Sequence, residues 1–387
     1  MSDTSSLLTR GVAQVLPSAS GLEKLMQKRK IRLYLGIDPT GSLLTLGHAV
    51  VLKKLQQFAE AGHEVILLIG NGTVRIGDPT GRDSTRPVLT DEIIAENFQN
   101  WKEQASKILD FSRIEIRKNG DWLDKLTYSE IVKLMAQVTV PQLMERDMFQ
   151  ERLKKGGTVF GHEILYPLLQ GYDSVMMEVD LEIGGTDQTF NMLMGRHLLE
   201  VYKNREKYVL STPIINGTDG RKMSKSYGNF IALTDEPNDM FGKLMSVADS
   251  EMETYFEIFT DIDMAEVQKK IAENPRDAKV ELATNIVSWL HSPGAAKAAL
   301  QDFETKFVRK ETPENIPEFT LSEGVGLLDL ITKICGFATS NAEARRLMEQ
   351  GAVALDDTII TDTKTTIEPE KKSRILRVGK RKWGKIL

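Results

Sequence analysis

Residues 31–70, "IRLYLGIDPTGSLLTLGHAVVLKKLQQFAEAGHEVILLIG", constrain the fold more than any other stretch. Residues 31–38 are an apolar run without polar alternation, which predicts a strand buried on both faces. Residues 47–62 carry Val51, Leu52, Leu55 and Phe58 at helical spacing and stop at Gly62. Residues 63–70 return to an apolar run. Strand, helix and strand in this order predict a βαβ unit, and so a parallel sheet with helices on both faces.

Later runs extend the pattern. "VDLEIGG" (179–185) and "KYVLSTPII" (207–215) read as strands, with the helical "DQTFNMLMGRHLLEVY" between them. The expected fold class is therefore α/β: a Rossmann-like, doubly wound parallel sheet over residues 1–232, with helical material inserted around 120–170. At 387 residues the chain is too long for one core. Residues 233–310 have helical patterns only, and 311–324 are polar with two prolines and read as a linker. Residues 325–387 read as a small α+β domain, with "SNAEARRLMEQG" as a helix capped by Ser340 or Asn341 and stopped at Gly351.

Charge narrows the partners. The net charge is −5, yet the last seventeen residues hold eight Lys or Arg and no acid. A basic tail on an acidic body suits a local anionic partner such as nucleic acid, or a solvated terminus. One cysteine, Cys335, excludes an internal disulfide, and five histidines show no metal-ligand spacing, so zinc is not expected. No apolar run approaches the roughly 20 residues of a membrane span, and no signal pattern opens the chain, which predicts a cytoplasmic protein.

Two stretches suit phosphate. Gly47 and His48 stand where a strand gives way to a helix, whose first N–H groups and dipole attract anions. "DGRKMSKSYGN" (219–229) places Lys222 and Lys225 in a Gly-bounded loop after a strand. Each alone is weak, since an exposed basic turn or a structural His explains it.

The pair, however, resembles the two signatures of the class I aminoacyl-tRNA synthetases. "KMSKS" matches the family pattern in full; the first signature, His-x-Gly-His in the family, is Thr45-Leu46-Gly47-His48 here. "YLGIDPTG", "IGDPTGRDSTR", "YPLLQGYD" and "IGGTDQTFN" resemble the tyrosyl-tRNA synthetases in particular, and the C-terminal piece resembles the S-four-type RNA-binding domain of the bacterial ones.

The resemblance implies tyrosine–tRNA ligase activity: L-tyrosine and ATP give tyrosyl-adenylate, and tyrosyl passes to tRNA(Tyr). It implies that Tyr34 and Asp173 bind the phenol, and that Asp78, Tyr166 and Gln170 bind the ammonium. Gln188 would lie near the reacting carboxylate. For ATP it implies Gly36, Asp38, Gly47, His48, Gly185, Asp187, Ile215 and the loop residues Lys222, Met223, Ser224, Lys225 and Ser226. Catalytic donors would be Thr40, Thr45, His48, Arg82, Arg86, Lys222 and Lys225, with Mg²⁺ carried by ATP. A homodimer is also implied. RNA-contact candidates are Arg345, Arg346, Lys380, Arg381, Lys382 and Trp383.

Thr45 is shorter than the imidazole it replaces and uncharged. If its hydroxyl faced the γ-phosphate, restoring His there would raise the adenylation rate. Two rivals remain at this stage: a synthetase-derived RNA binder without aminoacylation activity, and a small-molecule nucleotidyltransferase. Intact Lys222, Lys225, Asp78 and Asp187 weigh against the first, and "KMSKS" with the basic tail against the second.

Overall fold

The computed structural model describes residues 4–79, 89–307, 316–356, 358–369, 373–379 and 382–387. The chain divides into two compact units, residues 1–293 and 294–387. The first is built on a six-stranded sheet: β1 (Gln14–Leu16), β2 (Arg32–Ile37), β3 (Glu64–Ile69), β4 (Ile114–Lys118), β5 (Leu181–Gly185) and β6 (Tyr208–Thr212). Their order is β1-β6-β5-β2-β3-β4. β2 to β6 are parallel, and β1 pairs antiparallel with β6 at the edge of the sheet.

β2 lies between β3 and β5, so the chain runs outward from it in both directions. The crevice beyond the carboxyl ends of β2 and β5 is the switch point where ligands of such sheets bind. The apolar runs become the sheet centre: Leu33, Tyr34, Leu35, Ile66, Leu68, Leu181 and Ile183 are all buried. The helix Leu46–Glu60 buries Leu52, Leu55 and Phe58, the positions whose spacing predicts it. The helix Gly161–Met177 brings Tyr166, Gln170 and Asp173 along one side, as their four- and three-residue spacing requires.

The helices Pro237–Met245, Met252–Phe259, Met264–Glu273 and Pro275–Leu290 follow, within the first compact unit. In the second unit the helix Asn341–Glu349 is capped by the Ser340 side chain, which accepts from Glu343 N–H, and Gly351 takes φ +66° after it. It packs with Leu327, Leu330, Ile331, Val353 and Leu376 in one core. Cys335 borders that core, and burial pushes its thiol up to about 12.

The segment read as a linker, 311–324, holds a short strand, Glu318–Phe319, parallel to Lys382–Ile386. Its polar composition hides it, because two residues with one apolar side chain carry no periodicity. Phe319 is held there by packing edge-on against Phe337, with centroids 5.8 Å apart. Among the described residues no helix is long and apolar enough to cross a membrane.

Candidate active site

Beyond β2 and β5 lies a cavity of about 240 Å³, lined among others by Tyr34, Gly36, Asp38, Thr40, His48, Asp78, Tyr166, Gln170, Asp173, Gly185 and Gln188. Eleven residues named from the sequence thus share one crevice. Tyr34 comes from within β2, Tyr166, Gln170 and Asp173 from the helix Gly161–Met177, and the others from strand ends, loops and helix starts.

Thr45 is the N-cap of the helix Leu46–Glu60 and is only 4% exposed. Its backbone N–H donates to Nδ1 of His48 at 3.1 Å, and its hydroxyl lies 2.9 Å from the same nitrogen. A ring nitrogen that accepts from a backbone N–H carries no hydrogen, so His48 is neutral with its hydrogen on Nε2. Burial, with Lys225 adding to it, holds the imidazole down at about 4. Thr45 is not among the residues that line the cavity.

The loop before it is clamped by the helix Asp91–Ala105. Asn97 donates to Pro39 O (3.0 Å), Trp101 to Gly41 O, and Gln104 to Ser42 O (2.7 Å) while accepting from Leu44 N–H (2.8 Å). Asn97, Trp101 and Gln104 stand four and three apart, so one buried face of the helix fixes the loop. Trp101 also meets His48 edge-on at 5.8 Å. Sequence reasoning missed this clamp; its only signal was three polar or aromatic residues at helical spacing.

Asp173 accepts from Trp122 Nε1 (2.8 Å) and Asn119 Nδ2 (3.1 Å). Burial pushes its carboxyl well above the usual range, and those two donors pull it back. Asn119 also donates to Thr73 Oγ1 (3.0 Å), which donates to Asp38 (2.7 Å), which accepts from Tyr166 OH (2.9 Å). Asp78 accepts from Gln188 Nε2 (2.7 Å), and Asn191 donates to Gln188 Oε1 (2.9 Å). Tyr34 is fully buried, with its hydroxyl 3.0 Å from Ser174 Oγ.

Gly70 makes the Asp38–Thr73 bond possible. A Cβ there would stand 2.5 Å from Thr73 Oγ1 and collide with Asp38 Oδ1. Gly70→Ala is expected to displace Asp38 and cost about 1–3 kcal/mol by overpacking. Thermal unfolding and the KM values for both small substrates check it; an unchanged melting temperature would show that the pair yields freely.

The loop that carries Lys222 and Lys225 folds back on the segment after β6. Met223 N–H donates to Ile215 O (3.1 Å), and Ser224 Oγ accepts from Ser226 N–H (3.2 Å) at the head of the turn Lys225–Tyr227. Asn229, 2% exposed, donates to Asp219 (2.7 Å) and to the Arg221 and Lys222 carbonyls (3.2 Å each). Lys222 Nζ pairs with Asp187 at 3.0 Å. A Cβ on Gly41 would lie 3.5 Å from Lys225 Nζ, so that ammonium adjoins the first loop. A Cβ on Gly185 would lie 2.7 Å from Asp187 Oδ1, and one on Gly47 3.4 Å from Thr45 Oγ1. Ile215 is 1% exposed and does not line the cavity. Arg82 and Arg86 lie outside the described residues.

Of the RNA-contact candidates, Arg345 and Arg346 are exposed on the helix Asn341–Glu349. Lys382 is exposed, with Nζ donating to Phe337 O at 2.5 Å. Trp383 is a correction: it is 7% exposed, with the Arg377 guanidinium over its ring, so it has no open face for a base. Its strand places it inward, a choice invisible in a short basic segment. Lys380 and Arg381 lie outside the described residues.

The comparisons with known proteins agree with this geometry. The family profile of the class I tRNA synthetases for tryptophan and tyrosine matches residues 26–308. The tyrosine–tRNA ligase of Thermotoga maritima is 46% identical, covering 98% of this chain and 96% of its own length. That of Moorella thermoacetica is 42% identical, covering 98% and 94%. Among solved structures, a C-terminally truncated mitochondrial tyrosyl-tRNA synthetase from Coccidioides posadasii superposes with a TM-score of 0.63 at 25% identity, over 77% of this chain and 91% of its own. A tyrosyl-tRNA synthetase from Archaeoglobus fulgidus, complexed with L-tyrosine, shares the fold with a TM-score of 0.63 at 23% identity, over 77% and 99%. With a family match across most of the chain and this identity along nearly all of it, the chain belongs to the bacterial-type tyrosine–tRNA ligases of the class I synthetases.

Proposed function

We propose that this chain activates L-tyrosine with ATP and transfers the tyrosyl group to tRNA(Tyr), with the cavity beyond β2 and β5 as the site of both steps. The observation that carries the reading is that Tyr34 and the doubly braced Asp173 both line that cavity. A phenol needs one donor and one acceptor there. Tyrosine-dependent ATP–pyrophosphate exchange, run with each of the twenty amino acids, tests it; exchange with tryptophan instead of tyrosine would overturn the pocket assignment.

In the first step a tyrosine carboxylate oxygen bonds to the α-phosphorus, and the bond from that phosphorus to the bridging oxygen breaks, releasing pyrophosphate. The carboxylate is already ionised, so no general base is needed. Catalysis is positioning plus donors aimed at growing phosphate charge. Tyr166, Gln170 and Asp78 hold the ammonium, and Asp187 takes the ribose. Thr40, His48 Nε2–H, Lys222 and Lys225 serve the phosphates, with Arg82 and Arg86 as further donors by resemblance to the family, and Mg²⁺ arriving with ATP. Lys222 must leave Asp187 for this, which frees both groups when the nucleotide enters.

Thr45 then acts through His48. Its N–H and hydroxyl hold Nδ1 so that Nε2–H faces the nucleotide. Nitrogen-15 NMR of the apo protein is expected to show His48 as the Nε2–H tautomer, charging only near pH 4. A midpoint near the ordinary 6.5 would contradict this. Thr45→Val keeps the backbone donor and is expected to slow adenylation only a few fold, within about 1 kcal/mol. Thr45 is bound through its N–H and hydroxyl to His48, so Thr45→His is expected to disturb that cap rather than add a phosphate donor, and no faster rate is expected.

Partners follow the same reading. Tyr128, Val132 and Met135, at helical spacing on the helix Tyr128–Met135, are 84%, 47% and 39% exposed, and Val140 is 61% exposed. Such an apolar stripe supports a homodimer interface, which sedimentation checks. The helices of residues 237–290 and the second unit, as an S-four-type domain with Arg345 and Arg346, would meet tRNA in the cytoplasm.

A further inference from the structure

We propose that Glu182 and Lys207, a buried ion pair that the sequence reading did not single out, are positioning residues that decide which end of the Gln170 amide faces the substrate ammonium. The proposal rests on the tyrosine-binding reading of the cavity.

The pair is unusual for a fold to keep. Lys207 and Glu182 are 0% and 1% exposed, just before β6 and on β5. Replacing such a pair with apolar side chains is often neutral or stabilising, so stability alone gives weak reason for it. The neighbouring helix also yields to it. Gly195 stands inside the helix Thr189–Lys203, where Gly is disfavoured against Ala. A Cβ there would collide with Lys207 Nζ and come within 2.6 Å of Ser174 Oγ.

Every hydrogen of the ammonium is placed. Lys207 donates to Glu182 Oε2, to Ser174 Oγ (2.8 Å) and to Met192 O (3.1 Å). Ser174 Oγ in turn lies 3.0 Å from the Tyr34 hydroxyl. The other carboxylate oxygen, Glu182 Oε1, accepts from Gln170 Nε2 at 3.0 Å.

An ionised carboxylate only accepts hydrogen bonds. Facing Glu182, Gln170 must present Nε2, and its Oε1 is left for the cavity it lines. An amide oxygen there accepts from an ammonium, whereas an amide NH₂ would oppose it. Lys207 is the charge partner of that carboxylate, and its bond to Glu182 Oε2 leaves Oε1 facing Gln170. The pair therefore acts on tyrosine binding through Gln170 and leaves nucleotide binding alone.

Glu182→Gln tests this with almost no change of shape. Lys207 accepts nothing, so it takes the oxygen of the new amide. The NH₂ of that amide then turns toward Gln170 and inverts it. The expected result is a tyrosine KM raised about tenfold or more, with the ATP KM unchanged. The double swap Glu182→Gln/Gln170→Glu supplies a carboxylate that accepts from the new amide and offers its second oxygen to the ammonium. It is expected to recover most of the lost affinity, which a merely structural role would not do. If Glu182→Gln does not fold, Lys207→Met makes the same point by removing the charge partner of Glu182, and it too is expected to raise the tyrosine KM with the ATP KM unchanged. A single variant with unchanged tyrosine KM, a swap no better than the single, or an ATP KM that rises in step would overturn the inference. A wild-type protein inactive with tyrosine would instead sink the functional reading beneath it.

Discussion

His48→Ala is expected to lower the rate of tyrosyl-adenylate formation by about 10²–10³-fold, the usual loss when one placed donor is removed from a site of growing oxyanion charge. The effect falls on kcat, because a donor aimed at departing phosphate works more in the transition state than in the ground state. Tyrosine binding is expected to stay as it was, since the proposed role of His48 is toward the phosphates. Single-turnover adenylation by quenched flow gives the rate, and equilibrium titration gives the tyrosine affinity. A rise in ATP KM at constant kcat would show instead that His48 merely holds the nucleotide. The neutral imidazole, held down at about 4, also means that the rate carries no His48 titration between about pH 5 and 8.

Asp173→Ala is expected to act on tyrosine binding instead. It removes the acceptor for the phenol and strands two buried donors, Trp122 Nε1 and Asn119 Nδ2. A lost hydrogen bond to a charged group costs about 1.5–3 kcal/mol, so the tyrosine KM should rise about 10- to 100-fold. The ATP KM should stay within about twofold. Preference for tyrosine over phenylalanine should collapse by a similar factor, because the site then no longer pairs the hydroxyl. Exchange assays with both amino acids read all three quantities. Preserved discrimination would move the phenol to another partner and leave Asp173 as part of the Asn119–Thr73 network alone.

The strands and helices around the site were legible because their signals are local. The apolar runs of β2, β3, β5 and β6 and the 3.6-residue spacing of the helix Leu46–Glu60 report burial directly. Tyr166, Gln170 and Asp173 could be placed on one helix face for the same reason. β1 and the strand Glu318–Phe319 left no such signal, being two or three residues long and defined by the strands they join.

Side-chain partners were a different matter. From the sequence, Thr45 reads as a weaker substitute for a phosphate-binding histidine. In the fold it is a buried cap bound to Nδ1 of His48. Trp383 reads as a stacking surface and is a core residue. Asn97, Trp101, Gln104, Asn119, Trp122, Glu182 and Lys207 went unseen, though each touches or braces the cavity residues.

The sequence by itself determined the parallel α/β body and the family membership that its motifs imply, because motif spacing and hydrophobic period are properties of neighbouring residues. The tertiary structure alone decided which hydrogen goes where: that His48 donates from Nε2, that Gln170 offers an oxygen, that Asp38 bridges Thr73 and Tyr166. Those choices depend on strands and helices far apart in the chain becoming neighbours at β2 and β5, and a hydrogen bond exists only once both partners have arrived.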